Sequence, residues 1–349
     1  MAKAVGGGGD FKVMSRIQLQ HTYNHIISLE NLLEAWKEFV RGKTSRKDVQ
    51  EFERNLMTNI ISLHHELVAK TYVHSTYQHF KISDPKPRDI HKANVRDRLL
   101  HHALYRKLSP FFVKTFISDS NSCQDRKGTH RALCRFRKFI GIVSKNNIRT
   151  VWVLKCDIRK FFTNINHDIL FDIVAKYIPD QHILRLMSVI IRSFHSNIAG
   201  VGLPLGNLTS QLLANIYMNE FDQFMKHRLK AKYYLRYADD FAVLSTNKTY
   251  LETILPVMQD FLGSKLKLSM HPDKIFIQTV YSGVDFLGWV HFPDHRVLRT
   301  TTKKRMFRNI KMKNGKEETV KSYLGLIGHG NSWKLRQKIF DKVSKLKSF

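Results

Sequence analysis

Two adjacent carboxylates, Asp239 and Asp240 in the run Tyr237-Ala238-Asp239-Asp240, constrain this chain more than any other feature. The flanks, Tyr233-Tyr234-Leu235-Arg236 and Phe241-Ala242-Val243-Leu244, are aromatic and β-branched enough to predict two strands. That places both acids at the tip of a tight hairpin. A solvated Asp-Asp turn has the same local look, so the pair gains meaning only from a partner. The partner is upstream: Val151-Trp152-Val153-Leu154-Lys155-Cys156-Asp157-Ile158 is an apolar strand ending in a third carboxylate. A strand-terminal Asp and a hairpin Asp-Asp can meet on neighbouring strands of one sheet. Three hard oxygen donors so placed suit Mg²⁺, which binds few carboxylates and keeps positions for water and phosphate. Two such ions about 4 Å apart can activate a hydroxyl nucleophile and stabilise a pyrophosphate leaving group.

The charge balance agrees with a phosphate-rich partner. Among 349 residues, 58 Lys and Arg face 29 Asp and Glu, a formal charge of +29 that is spread along the chain. A folded body this basic calls for a polyanion, by default nucleic acid. Hydrophobic residues at 43% fit a folded protein rather than a disordered one. The three cysteines lack CxxC spacing, which argues against a disulfide framework and a zinc site and is compatible with a reducing cytoplasm. Histidine pairs such as His64-His65 and His101-His102 are adjacent and do not share a helix face, which disfavours metal binding by histidine. Neither a signal peptide nor a membrane span is expected.

Along the chain, Met1–Met14, with its run Gly6-Gly7-Gly8-Gly9, is expected to be a flexible leader. From Ser28 to Lys70 the apolar spacing is helical, with Leu29, Leu32, Leu33 and Trp36 on one face and Phe52, Leu56, Ile60 and Leu63 on another. Phe80 to Ile90 reads as extended chain broken by Pro85 and Pro87, followed by a helix from Val95. A polar loop, Ser122 to His130, precedes a helix beginning near Arg131. Asn166 is a suitable N-cap for an amphipathic helix stopped by Pro179. Gly202-Leu203-Pro204-Leu205-Gly206-Asn207-Leu208-Thr209-Ser210-Gln211 opens into another long helix, and a further helix is expected over Lys248 to Leu266. From Thr300 the chain is densely cationic and helical.

Taken in order, these motifs resemble the reverse transcriptases, whose signature is Tyr-x-Asp-Asp. The resemblance covers Phe80 to Trp333 and implies an α+β right-hand polymerase fold. Its parts would be an arm over 1–27, helical fingers over 28–150 with a β-hairpin near 80–90, a palm over 151–290 whose antiparallel sheet carries the Asp triad, and a short helical thumb over 291–349. It implies catalysis by Asp157, Asp239 and Asp240, with the Ile158 backbone as a further metal ligand, and two Mg²⁺ ions for which Mn²⁺ can substitute. Lys86 and Arg88 would close over the triphosphate of a deoxynucleoside triphosphate, unless they are ordinary surface cations. Phe162 would lie beneath the sugar and exclude ribonucleotides, a core Phe being the alternative. Leu205, Gly206 and Gln211 would contact the nucleotide, and Lys274 would approach the leaving phosphate as general acid. Arg126, Lys127, Tyr237, Leu287, Gly288, Lys303, Lys304, Arg305 and Arg308 would hold primer and template.

Most members read Gln-Gly-x-x-x-Ser-Pro in the loop before the long helix. This chain has Leu205 for the Gln and Gln211 for the Pro, and Leu-Gly-Asn-Leu-Thr-Ser-Gln resembles the enzymes of diversity-generating retroelements. That resemblance implies an error-prone enzyme, prokaryotic or phage-encoded and cytoplasmic, copying a template RNA into cDNA with misincorporation opposite adenine. A small basic accessory protein oligomer is the implied partner. Group II intron-like, retron-like and defence-associated enzymes share the chemistry and remain the alternative.

Overall fold

A computed structural model describes residues 17–83 and 87–347. Lys86 and the leader Met1–Met14 lie outside the described residues. The chain divides into two compact units, Met1–Phe116 with Phe162–Asn219, and Ile117–Phe161 with Glu220–Phe349.

In the first unit the apolar stretch from Ser28 to Lys70 forms three helices, Leu29–Val40, Lys47–Arg54 and Leu56–Val68. The breaks fall where Gly42 takes a positive φ of 67° and where Asn55 leaves helical geometry. Ser28 accepts a hydrogen bond from the Asn31 N–H and starts the first of these helices. Leu32, Ala35 and Phe39 are buried, as are Ile60, Leu63 and Leu67, together with Leu99, Leu100 and Leu104 of the helix Val95–Phe112. Strands β1 (Gln78–Ile82) and β2 (Arg88–Lys92) make an antiparallel hairpin ahead of that helix. Asn166 caps His167–Ala175 by accepting from the Ile169 N–H at 3.0 Å, and Asp180 caps Gln181–Arg192.

The second unit is built on a four-stranded antiparallel sheet. Its strands are β3 (Trp152–Asp157), β4 (Tyr234–Tyr237), β5 (Asp240–Ser245) and β6 (Phe276–Thr279), in the order β4-β5-β3-β6. The middle strands lack hydrophobic alternation because both faces are covered. Phe241, Ala242, Val243 and Leu244 are all buried. On one face Val153, Leu235, Ala242 and Leu244 join Leu133, Phe136 and Ile140 of the helix Thr129–Ser144 in a single core. The helix Lys248–Leu266 also packs on the sheet, and Phe221 lies 5.2 Å from Phe241, ring to ring.

That core continues into a meander of β7 (Val284–Phe286), β8 (Trp289–His291) and β9 (Arg296–Leu298). Leu287 and Gly288, both with positive φ, make the turn between β7 and β8. The helices Thr300–Met312, Glu317–Ile327 and Trp333–Lys347 follow, and Met306, Ile310, Val320, Ile327 and Ile339 pack with Phe286 and Trp289. Among the described residues no helix is long and apolar enough to cross a membrane.

The stack of Phe136 on Phe286, 4.9 Å between ring centres with both side chains fully buried, ties the meander to the helix beneath the four-stranded sheet. Phe136→Ala is expected to cost about 3–5 kcal/mol of stability, as large-to-small core changes do. Denaturant unfolding of the two proteins checks this, and a loss below about 1 kcal/mol would contradict the packing described.

Candidate active site

The hairpin expected from Tyr237-Ala238-Asp239-Asp240 is present, with one difference. Asp240 is the first residue of β5, paired with Tyr237, so only Ala238 and Asp239 form the turn. This follows from the sheet: Asp240 also pairs in register with Asp157, the last residue of β3. The Asp157–Asp240 pair puts two carboxylates on neighbouring strands, and the Asp239 carbonyl accepts from the Ile158 N–H at 3.1 Å, holding the turn against the end of β3.

Two lysines face these acids. Lys274 donates to Asp157 Oδ1 at 2.8 Å. It is presented by a short turn, Pro272–Lys274, whose approach is fixed by His271 N–H donating to the Asp157 carbonyl at 2.8 Å. Lys155, two residues before Asp157 on the same strand face, has its ammonium 3.4 Å from Asp240 Oδ1. The pair lacks hydrogen-bond geometry: Asp240 Oδ1 is buried and accepts no hydrogen bond from the described residues. Burial pushes the Asp240 carboxyl up to about 7; Lys155 counters this, while Asp157 and Asp239 add to it.

Among the described residues, no group of three His, Cys, Asp or Glu side chains is arranged to hold a metal ion by itself. The donor chemistry nevertheless fits a hard divalent cation. Carboxylate groups meet at one end of the sheet, and one oxygen, Asp240 Oδ1, is buried without a hydrogen-bond donor among the described residues. Its carboxyl is held back from ionising first by burial and then by the charges of Asp157 and Asp239.

The other expected site residues fall into separate neighbourhoods. In the first unit Arg88 opens β2 and is exposed. The loop bearing Leu205 and Gly206 is fastened to that hairpin, with His91 N–H donating to the Leu205 carbonyl at 3.0 Å and Asn207 Nδ2 to the His91 carbonyl at 2.9 Å. Gly206 has φ +110°, and a Cβ there would meet Ile90 at 2.9 Å, so the position admits only glycine without a shift. Gln211 is exposed in the first turn of the helix Leu208–Gln223. Phe162 is half-buried and its carbonyl accepts from the Leu203 N–H, whereas Phe161 is a buried residue of the second unit.

In the second unit Tyr237 is half-buried and its hydroxyl accepts from Thr129 at 3.2 Å. Arg126 is exposed, while the Lys127 ammonium donates to the Ser120 carbonyl at 3.0 Å. Leu287 and Gly288 form the β7–β8 turn, and Gly288 accepts from the Arg299 N–H. Lys304 and Arg308 are exposed one turn apart on Thr300–Met312, with Lys303 and Arg305 half-buried beside them. Lys155, Asn207 and the buried pair Arg236–Asp222 were not singled out from the sequence. Lys155 carried a usable signal, its two-residue spacing from Asp157 along a strand. The others depend on long-range contacts with no local pattern.

The sheet order, the Asp157–Asp240 register and the turn between β4 and β5 describe the palm of a right-hand polymerase fold. The reverse transcriptase (RNA-dependent DNA polymerase) family profile matches residues 81–291, more than half of the chain, and the chain belongs to this family. Protein YkfC of Escherichia coli K12 is 26% identical over 254 residues, 62% of this chain and 65% of that protein. The group II intron-encoded protein LtrA of Lactococcus lactis subsp. cremoris is 24% identical over 331 residues, 75% of this chain and 52% of that protein. The chain thus spans between half and two-thirds of the length of these curated relatives. In fold it is similar to apo telomerase from Candida tropicalis, with a TM-score of 0.50 at 14% identity, covering 78% of this chain and 57% of that one.

The elevated Asp240 pKa predicts a pH dependence of stability. Between the ordinary carboxylate range, about 4, and the folded value of about 7, the folded state holds a proton that the unfolded state releases. Stability therefore falls as pH rises through that window. Metal-free Asp240→Asn should melt above wild type at pH 8, and the gap should shrink as pH falls to about 5. A gap independent of pH would show that Asp240 ionises normally.

Proposed function

We propose that this chain is an RNA-directed DNA polymerase, with deoxynucleoside triphosphates, a template RNA and a cDNA primer as substrates. The observation that carries the reading is the register pairing of Asp157 with Asp240 beside the Asp239 turn. Asp157, Asp239 and Asp240, with the Ile158 carbonyl, are the proposed ligands for two Mg²⁺ ions. Bound there, such ions would supply Lewis-acid activation of a primer 3′-hydroxyl and charge neutralisation of the leaving pyrophosphate. Lys155 offsets part of the carboxylate repulsion and so keeps Asp240 available as a ligand. Lys274, whose ammonium is held at Asp157 Oδ1, is the proposed proton donor to the leaving phosphate. Lys86 and Arg88 are assigned to the triphosphate, Leu205, Gly206 and Gln211 to the nucleotide, and Phe162 to exclusion of the 2′-hydroxyl. Residues 28–150, 151–290 and 291–349 serve as fingers, palm and thumb in this reading. Lys303, Lys304, Arg305 and Arg308 hold the duplex, together with Arg126, Lys127, Tyr237, Leu287 and Gly288.

Within the class, we propose the error-prone enzyme of a diversity-generating retroelement, prokaryotic or phage-encoded and acting with a small basic accessory protein. Leu205 supports this. An apolar side chain cannot make the directional contact that a Gln makes, and discrimination by apolar packing is weak, about 1–3 kcal/mol per methylene-sized difference. The likeness to the group II intron-encoded protein LtrA favours a second reading, an intron-type enzyme with the same chemistry. An imperfect repeat beside the gene, differing mainly at adenines, would support the first reading and its absence the second.

Asp157→Ala and Asp239→Ala should each abolish Mg²⁺-dependent primer extension on RNA while leaving circular dichroism unchanged. Full extension by either variant would overturn the metal assignment. Leu205→Gln should reduce misincorporation opposite adenine in single-nucleotide kinetics on four templates. The backbone at 205 is already fixed to β2 through its carbonyl, so the change tests the side chain. An unaltered error spectrum would separate Leu205 from fidelity. Neutralising Lys303, Lys304, Arg305 and Arg308 together should weaken template–primer binding and flatten its salt dependence, the slope falling by about 0.7–0.9 for each phosphate no longer neutralised. Unchanged binding across the titration would move the duplex surface elsewhere.

A further inference from the structure

Ala238 has φ +54°, a left-handed conformation that a residue with a Cβ adopts only where its surroundings impose it. Both polar groups of its backbone are gripped from the same unit. Its N–H donates to Ser122 Oγ at 2.9 Å, and its carbonyl accepts from Arg236 Nη1 at 2.9 Å. Ala238 immediately precedes Asp239, so the conformation imposed here sets the direction of the Asp239 Cα–Cβ bond.

Arg236 is in turn fixed on every side. It is fully buried, 0% exposed, and meets the equally buried Asp222 as a planar fork, Nε to Oδ1 at 2.8 Å and Nη2 to Oδ2 at 2.7 Å. Nη2 also donates to Ser120 Oγ at 3.1 Å, and the Tyr234 hydroxyl donates to Asp222 Oδ1 at 2.6 Å. Burial lowers the guanidinium pKa, but Asp222 outweighs it, and the net shift is upward. The backbone agrees: Arg236 N–H donates to the Asp119 carbonyl and Asn121 N–H to the Arg236 carbonyl, so residues 119–121 lie along the outer edge of β4. A buried ion pair is a poor source of stability, since an apolar pair of like volume packs as well without desolvation. A guanidinium, with five donors in a rigid fork, grips a carboxylate with two of them and still reaches a hydroxyl and a peptide carbonyl, whereas an ammonium has three donors and no fork.

We infer that Arg236, seated by Asp222 and Ser120, acts with Ser122 as a positioning device that locks Ala238 left-handed and so aims the Asp239 carboxylate. None of these side chains touches the reacting atoms. The inference rests on the reading of Asp239 as a metal ligand.

The test compares Ser122→Ala and Arg236→Lys with wild type and Asp239→Ala. Five quantities are measured: hydrogen exchange at the Ala238 amide, the metal-free melting temperature, kcat and KM for single-nucleotide addition, and Mn²⁺ binding. The last is read from free Mn²⁺ by electron paramagnetic resonance, with template–primer and an unreactive nucleotide analogue present. Ser122→Ala should speed Ala238 exchange and melt within about 4 °C of wild type. Its kcat should fall about tenfold with KM little changed, since small displacements of a catalytic group are costly. Its Mn²⁺ half-saturation should rise several-fold. Arg236→Lys, which keeps the charge and loses the fork, should show the larger effect in the same direction; if it fails to fold, Ser122→Ala alone decides. Wild-type kcat and Mn²⁺ binding in Ser122→Ala, despite faster Ala238 exchange, would overturn the positioning role while an inactive Asp239→Ala left the catalytic reading standing. An active Asp239→Ala would instead overturn the catalytic reading, and the inference with it.

Discussion

Everything at this site depends on the confinement of like charges at one end of a sheet. Asp157 and Asp240 are register partners and Asp239 is the adjoining turn residue. Two unit charges about 4 Å apart at an effective dielectric near 20 repel by about 4 kcal/mol, a large fraction of a domain's net stability. The fold answers with Lys155 beside Asp240 and Lys274 on Asp157, yet burial, with the charges of Asp157 and Asp239 added to it, still leaves Asp240 inclined to keep its proton. A site that repels itself in this way is matched to cations brought by the reaction it serves.

Confinement requires a rigid support, and the hydrophobic pattern supplies one. The β5 core residues are buried on both sides of the sheet, so a register slip would carry apolar side chains into the wrong layer and separate Asp240 from Asp157. The outer edge of β4 is paired by residues 119–121, which closes an edge that would otherwise be open. The rigid part of the second unit is therefore the part that bears the carboxylates. The loop carrying Leu205 and Gly206 is held to β2, the strand that Arg88 opens, by the His91 N–H donating to the Leu205 carbonyl and by the Asn207 side chain, which donates to the His91 carbonyl and accepts from the Ala93 N–H.

Much of this was legible from residues alone, where the signal is local. The apolar strand ending in Asp157, the hairpin around Ala238, the Asn166 cap and the Lys248–Leu266 helix follow from periodicity, turn chemistry and capping. The shift of Asp240 from the turn into β5 was not legible, because pairing with Asp157 across the sheet decides it. Nor was the break at Asn55 between the second and third helices of Ser28–Lys70, since the apolar face runs from Phe52 through Leu56 to Leu63 without marking it. The pairing of Arg236 with Asp222 joins residues on a strand and on a separate helix, and no spacing rule links them. Lys127, read as a template contact, is tied to the Ser120 carbonyl, a backbone partner that no side-chain pattern announces.

The central claim is that Asp157, Asp239 and Asp240 jointly bind the divalent ions of a polymerase. The most direct measurement is anomalous diffraction from a crystal of the protein with primer–template, an unreactive nucleotide analogue and Mn²⁺. Manganese peaks are expected at coordination distance, about 2.0–2.6 Å for hard cations on oxygen, from carboxylate oxygens of Asp157 and of the Asp239–Asp240 pair, with Lys274 drawn away from Asp157. Peaks confined to other residues, with Lys274 still bound to Asp157, would contradict it.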